Sequence, residues 1–194
     1  MSVSFIKWNR NGLCGAASAH MALHALSIAG ATKGDKAEQE GIWTSIINNT
    51  IGGVGPPCTN VVYEPFNNMI HDVCPNGIKV VCWETYPTSL KATLLQFMGT
   101  GAKVQLRETK SETTANSHIK KCLKRGAVPI VLISKGSHWV VVAKWDENAS
   151  VITYLDPAGD GPSTAALWFW NLIKMSANEC GAFDKKYVIV EVGP

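Results

Sequence analysis

The chain has 194 residues, enough for one domain with a full core. Charged residues make up 17% against 46% hydrophobic ones; roughly 25% charged is ordinary for a soluble domain, so disorder is excluded and a large buried apolar surface is expected. The net charge is +3, and the one basic cluster, Lys120-Lys121 with Lys124-Arg125, has the spacing of a solvated helix face rather than of a nucleic-acid footprint.

No run approaches the ~18 apolar residues of a membrane span, and the opening MSVSFIKWNRNG lacks the apolar core of a signal peptide. The chain is expected to be cytoplasmic as made, with any export by a route independent of a signal peptide. The spacings of Cys14, Cys58, Cys74, Cys82, Cys122 and Cys180 are irregular, and a chain of this size needs no staples, so the thiols read as mostly reduced.

In chain order, Asn11-Gly12 is a turn signal, and an Ala-rich helix is predicted over 14–29, with Gly30 as its stop. Its small residues make it a central helix. A second helix is predicted over 37–48, a break over 51–57 and a third helix over 59–73 carrying Val62, Phe66, Met69 and Ile70. A strand over 78–83, a helix over 89–98, a strand over 102–107 and a helix over 112–125 follow. The remainder is rich in Val and Ile: strands are predicted over 127–133, 139–145, 150–155 and 187–192, with a helix or buried irregular segment over 164–176. Helices first and strands second argue an α+β fold in one domain over 1–194, with a helical lobe over about 1–125 and an antiparallel sheet lobe over about 126–194.

Cys14 stands apart because it opens the central helix. A thiol near pKa ~8.5 is mostly protonated at neutral pH; a helix N-terminus and a neighbouring imidazolium both favour the reactive thiolate. Of the five histidines, His20 and His24 fall about 9 and 15 Å along the same helix, too far to reach Cys14. His118 sits in a polar stretch, and His71 has no third partner that can be placed. His138 directly precedes the apolar strand at Trp139. If Asp146-Glu147-Asn148 is the hairpin loop and Trp145 pairs with Ala149, His138 falls opposite Asp156, where Cβ atoms stand about 4.5–5.5 Å apart. A carboxylate there would hold the imidazole in its working tautomer. Asp160 is the fallback for that position; Asp146 is at the wrong end of the hairpin. The oxyanion of acyl transfer needs fixed donors: the Cys14 amide is one, and the second is sought in Asn9, Asn11 or the Trp8 indole.

Cys14-Gly15 opening a helix, Gly126-Ala127-Val128-Pro129 opening a strand, His138-Trp139-Val140-Val141-Val142, and Asp156-Pro157 together resemble the papain-like cysteine peptidase superfamily, closest to the bacterial double-glycine leader peptidase-like branch. The resemblance covers the first 30 residues and 119–160. It implies a helical lobe packed on an antiparallel sheet, with Cys14, His138 and Asp156 as a catalytic triad at their interface. Six residues before the cysteine the family has a Gln, where this chain has Trp8; Asn9 resembles the Asn used one position later by ubiquitin-specific peptidases, which makes Asn9 the preferred donor over Trp8 and Asn11.

The expected function is cysteine-dependent amide-bond hydrolysis on a protein or peptide substrate, without cofactor or metal, in a stand-alone role such as a bacterial effector or toxin. Glutamine deamidation by the same triad and a non-catalytic papain-like binding module are the alternatives. Cys58, His71, Cys74 and Cys82 do not form the two tight pairs of a zinc site, and 51–57 lacks the Lys-Ser/Thr of a phosphate loop. The aromatic cluster at 168–170 reads as core.

Overall fold

The computed structural model describes residues 2–8, 13–49, 61–64, 69–73, 79–82, 85–133, 138–166 and 187–193. Its first helix, α1 (Cys14–Ala25), is buried without interruption from Cys14 to Leu23. A helix apolar on every side belongs inside a fold, and α1 is enclosed by α2 (Lys36–Asn49), α3 (Pro87–Met98) and the strands β5 (Val128–Ile133) and β6 (His138–Asp146). The remaining elements are β1 (Val61–Glu64), β2 (Met69–Val73), β3 (Lys79–Cys82), β4 (Lys103–Thr109), α4 (Glu112–Lys124), β7 (Val151–Leu155), β8 (Pro162–Ala166) and β9 (Tyr187–Gly193).

Six strands form one sheet in the order β4-β9-β5-β6-β7-β8, with every adjacent pair antiparallel. Alternate side chains of a strand point to opposite faces, and both faces of this sheet are covered. Val128, Ile130, Leu132, Val188, Val190 and Val192 join the core of α1, α2 and α3. Val131, Ile133, Tyr187 and Ile189 pack with Ala115 and Ile119 of α4. That explains why β5 is apolar throughout and β9 apolar except at Glu191, each buried along its whole length. The fold is α+β: helices on both faces of an antiparallel sheet.

Two expectations are corrected. The helix expected over 59–73 is replaced at the described residues by strands: β1 (Val61–Glu64) and β2 (Met69–Val73) pair antiparallel, and β3 completes a separate three-stranded sheet. Val61-Val62-Tyr63 is β-branched and aromatic, and Pro65 opposes a helix through the segment. Thr164–Ala166 is strand, pairing with Thr153, Ile152 and Val151; the rest of 164–176, with the 168–170 cluster, lies outside the described residues, as does the break over 51–57. The strands expected over 78–83 and 102–107 are present as β3 and β4, and β4 joins the main sheet through β9. Among the described residues no helix is long and apolar enough to cross a membrane.

The β6–β7 hairpin also differs in register. Asp146 pairs with Val151, so the connection is 147–150 rather than 146–148, and Trp145 faces Ile152 instead of Ala149. The Asp146 carboxylate accepts from the N–H groups of Asn148 and Ala149, each at 3.0 Å. This side-chain turn holds Asp146 as the last strand residue instead of the first loop residue.

Candidate functional site

Cys14 is the first residue of α1 and is 8% exposed. Leu13 precedes it and offers no side-chain cap, and the first turn carries no acidic residue. The first N–H groups of a helix have no partner within it, so the α1 terminus sets the positive end of the helix dipole at Cys14. Gly15 has a steric purpose. A Cβ there would lie 2.2 Å from Thr85 Oγ1 and 2.4 Å from Thr85 Cβ, so only glycine lets the segment before α3 approach the helix start.

Trp139 ties the two halves of the site together. Its indole N–H donates to the Thr85 carbonyl at 3.0 Å, and its own carbonyl accepts from Ser18 Oγ at 3.1 Å. Ser18 is one turn along α1 from Cys14, so the start of β6 is pinned beside the start of α1. The neighbouring residue, His138, is thereby set near Cys14, whose side chain acts on the His138 pKa.

His138 Nε2 faces Asp156 Oδ1 at 2.6 Å, with the two side chains 16% and 27% exposed. The same carboxylate oxygen accepts the Ala158 N–H at 2.8 Å, which closes the turn at Asp156-Pro157 and fixes its direction. The expected direct opposition of His138 and Asp156 is corrected. Val141 pairs with Leu155, and continuing that register sets Asp156 beside Val140, one alternate position along β6 from His138. Both are still on one face because β6 holds a bulge. Pairing shifts by one residue between Val142 and Lys144, and accordingly Val142 and Trp145, three apart, both pack toward α4. Extended without the bulge, the pairing from Trp145–Ile152 would put His138 and Asp156 on opposite faces.

Burial alone would lower the His138 pKa. The hydrogen bond to Asp156, together with the influence of Cys14 and the carboxylate's charge, outweighs that and raises it to about 9. Burial pushes Asp156 the other way, but the bond from His138 and the Ala158 N–H hold its pKa below the usual carboxylate value. His138 is thus an imidazolium at neutral pH, flanked by a carboxylate and a thiol. Trp8 completes the surroundings: its ring meets the His138 ring edge-on, with centroids 5.9 Å apart and planes at 76°. Its backbone N–H donates to the Pro157 carbonyl at 3.1 Å, while Gln39 Nε2 donates to the Lys7 carbonyl at 3.1 Å. Lys7 and Trp8 therefore lie beside His138 and the turn after Asp156. In the sequence Trp8 stood at the place of the family's Gln and was a candidate donor through its indole; an aromatic contact with His138 was not foreseen.

The other candidates are placed elsewhere. Asp160 pairs with Lys7 at 2.6 Å on the surface, and Asp146 closes the hairpin turn. His20 bonds Glu38 at 3.0 Å and His24 Nδ1 meets the Ala31 carbonyl at 3.1 Å. His118 lies 3.7 Å from Glu191. Asn9 and Asn11 are outside the described residues, as are the side chains of Cys58, His71, Cys74 and Cys82. Cys122 is buried and its thiol is pushed up to about 12, first by burial and then by Glu191, which leaves it unreactive. Among the described residues no three His, Cys, Asp or Glu side chains form a metal-binding group.

No family model matches the chain, and no curated protein matches it. Among solved structures it is similar to the crystal structure of the Pseudomonas avirulence protein AvrPphB, with 10% sequence identity, a TM-score of 0.45, and 100% of this chain and 97% of that one covered.

Proposed function

We propose that the protein is a papain-like cysteine hydrolase of amide bonds acting on a protein or peptide substrate. The observation that supports this reading is the 2.6 Å bond between His138 and Asp156 at the start of β6, with Cys14 near enough to His138 to raise its pKa. Cys14 attacks the scissile carbonyl carbon as thiolate. His138 gives its proton to the leaving amine, then takes one from the water that hydrolyses the acyl-enzyme. Asp156 orients His138 and supports its charge. The Cys14 N–H holds the oxyanion, with Asn9 as the second donor. A role as a bacterial effector or toxin rests on the sequence resemblance.

The test is iodoacetamide labelling at about pH 6, where ordinary thiols are slow, followed by digestion and mass spectrometry. Cys14 is expected to be alkylated well ahead of the other five thiols, and Cys14→Ala to abolish turnover of a peptide library. Equal labelling of all thiols, with activity retained in Cys14→Ala, refutes the reading. The same spectra read the reaction type: new termini mark cleavage, whereas a gain of about 1 Da without cleavage marks deamidation by the same residues.

A further inference from the structure

The far end of the sheet carries a second concave site whose chemistry is unrelated to the thiol. Lys103, Gln105 and Arg107 occupy alternate positions of β4 and so share one face. Val104 packs with the α1–α3 core, which puts the three on the α4 side. There they line a cavity of about 320 Å³ with Arg125, at the C-terminus of α4, and Glu191 of β9. Gly193 and Ala127 form its small floor.

Glu191 organises the cations. Its side chain is 3% exposed and faces Gln105 across the strands. Arg125 Nη2 donates to Oε2 at 2.8 Å, Arg107 Nε stands 3.6 Å from Oε1, and Arg107 Nη2 donates to Gln105 Oε1. Arg107 Nε is buried without a hydrogen bond. A guanidinium has five N–H donors, so both arginines are held by one edge and keep donors for a ligand. Lys103 is exposed and has no ion pair among the described residues. Three cations against one carboxylate leave a positive concavity.

We propose that this cavity binds a phosphate group. Fixed guanidinium forks match the oxygens of phosphate with paired charge-assisted bonds, and a buried carboxylate that already orients them removes most of the ordering cost. The site is separate from Cys14. Val128 pairs with Val192 next to the cavity, whereas Ile133 at the other end of β5 pairs with His138; five strand steps are about 17 Å. The cavity also opens on the face opposite α1, so this inference is independent of the proposed hydrolase.

The test is calorimetric titration of the full chain with sodium pyrophosphate at a constant ionic strength of about 0.15 M, which suppresses diffuse attraction. Saturable one-to-one binding is expected, weakened about fivefold or more by Lys103→Gln and unchanged by Lys33→Gln on the remote α1–α2 loop. Lys103 is exposed, so its replacement does not endanger folding; Arg107→Gln is the stronger but riskier variant. Co-sedimentation with phosphatidic acid vesicles separates the sources of the phosphate. Binding in solution without co-sedimentation assigns a soluble phosphate ligand, and co-sedimentation lost in Lys103→Gln assigns a lipid headgroup. No saturable heat up to about 10 mM pyrophosphate together with no Lys103-dependent co-sedimentation overturns the proposal, as does an equal loss in Lys33→Gln.

Discussion

Among the described residues two histidines hydrogen-bond carboxylates, and their protons behave in opposite ways. His20, inside α1, is fully buried and meets Glu38, 11% exposed, at 3.0 Å. Burial dominates, and its pKa is lowered despite the carboxylate. Glu38 also spends its charge on three backbone N–H groups, those of Thr32, Lys33 and Gly34, at 2.9–3.0 Å. His138 is only partly buried, its carboxylate accepts a single backbone N–H, and Cys14 supplies a second partner; its pKa is raised. Imidazole beside carboxylate is therefore not by itself a reactive arrangement. One pair is a structural clamp that ties the loop after α1 to α2; the other holds a proton beside Cys14.

The largest break in this contrast is expected from exchanging function for stability. His138→Ala is expected to lower kcat about 10³–10⁴-fold, with unfolding free energy changed by about 1 kcal/mol or less; steady-state kinetics and denaturant titration read the two. Next comes Gly15→Ala, whose Cβ cannot coexist with Thr85. Moving the α1 start away from Thr85 is expected to cost about 3 kcal/mol and to lower turnover as well, because Trp139 links Thr85 to His138. His20→Ala should do the reverse of His138→Ala: about 2 kcal/mol of stability lost with kcat unchanged. If His20→Ala abolishes turnover in a protein that still melts cooperatively, the two pairs are not functionally distinct.

The smallest effects are in pH. His138 keeps its proton up to about 9, so activity is expected to fall as pH rises through that value. In Asp156→Asn this alkaline limb is expected to move down toward the ordinary histidine value of about 6.5, measured from the pH profile of kcat/KM. Stability follows the opposite signs of the two shifts. Unfolding releases His138's extra proton between about 6.5 and 9, so its contribution is full below that range and fades as pH rises. Unfolding lets His20 take up a proton below its ordinary 6.5, so its contribution is present above that value and lost as pH falls.

Much of the candidate site was legible because its residues sit at element starts. Cys14 follows a turn signal and opens an Ala-rich run, and His138 opens a run of β-branched residues. The pairing of His138 with Asp156 was reached through a wrong register, since nothing in Val142-Ala143-Lys144 marks a bulge and nothing in Asp146 announces that it folds onto its own turn. The slip amounts to two positions at the His138 end, which preserves the face. Residues 59–73 misled because Val62, Met69 and Ile70 satisfy helical spacing as well as two short strands. Trp8 escaped because its partner is 130 residues away in the chain and no local pattern encodes that contact.

The bulge in β6 has a consequence for altering this protein. It separates the hairpin into two phases: from Val151 to Thr153 β7 pairs in one alternation, and from Tyr154 onward in the other. The phase at the reactive end is locked by Trp139, through Ser18 and Thr85, and not by the turn at 147–150. That turn is thus a place to attach an epitope or a fluorophore, or to lengthen the chain, while the distance between imidazole and carboxylate at the other end stays as it is.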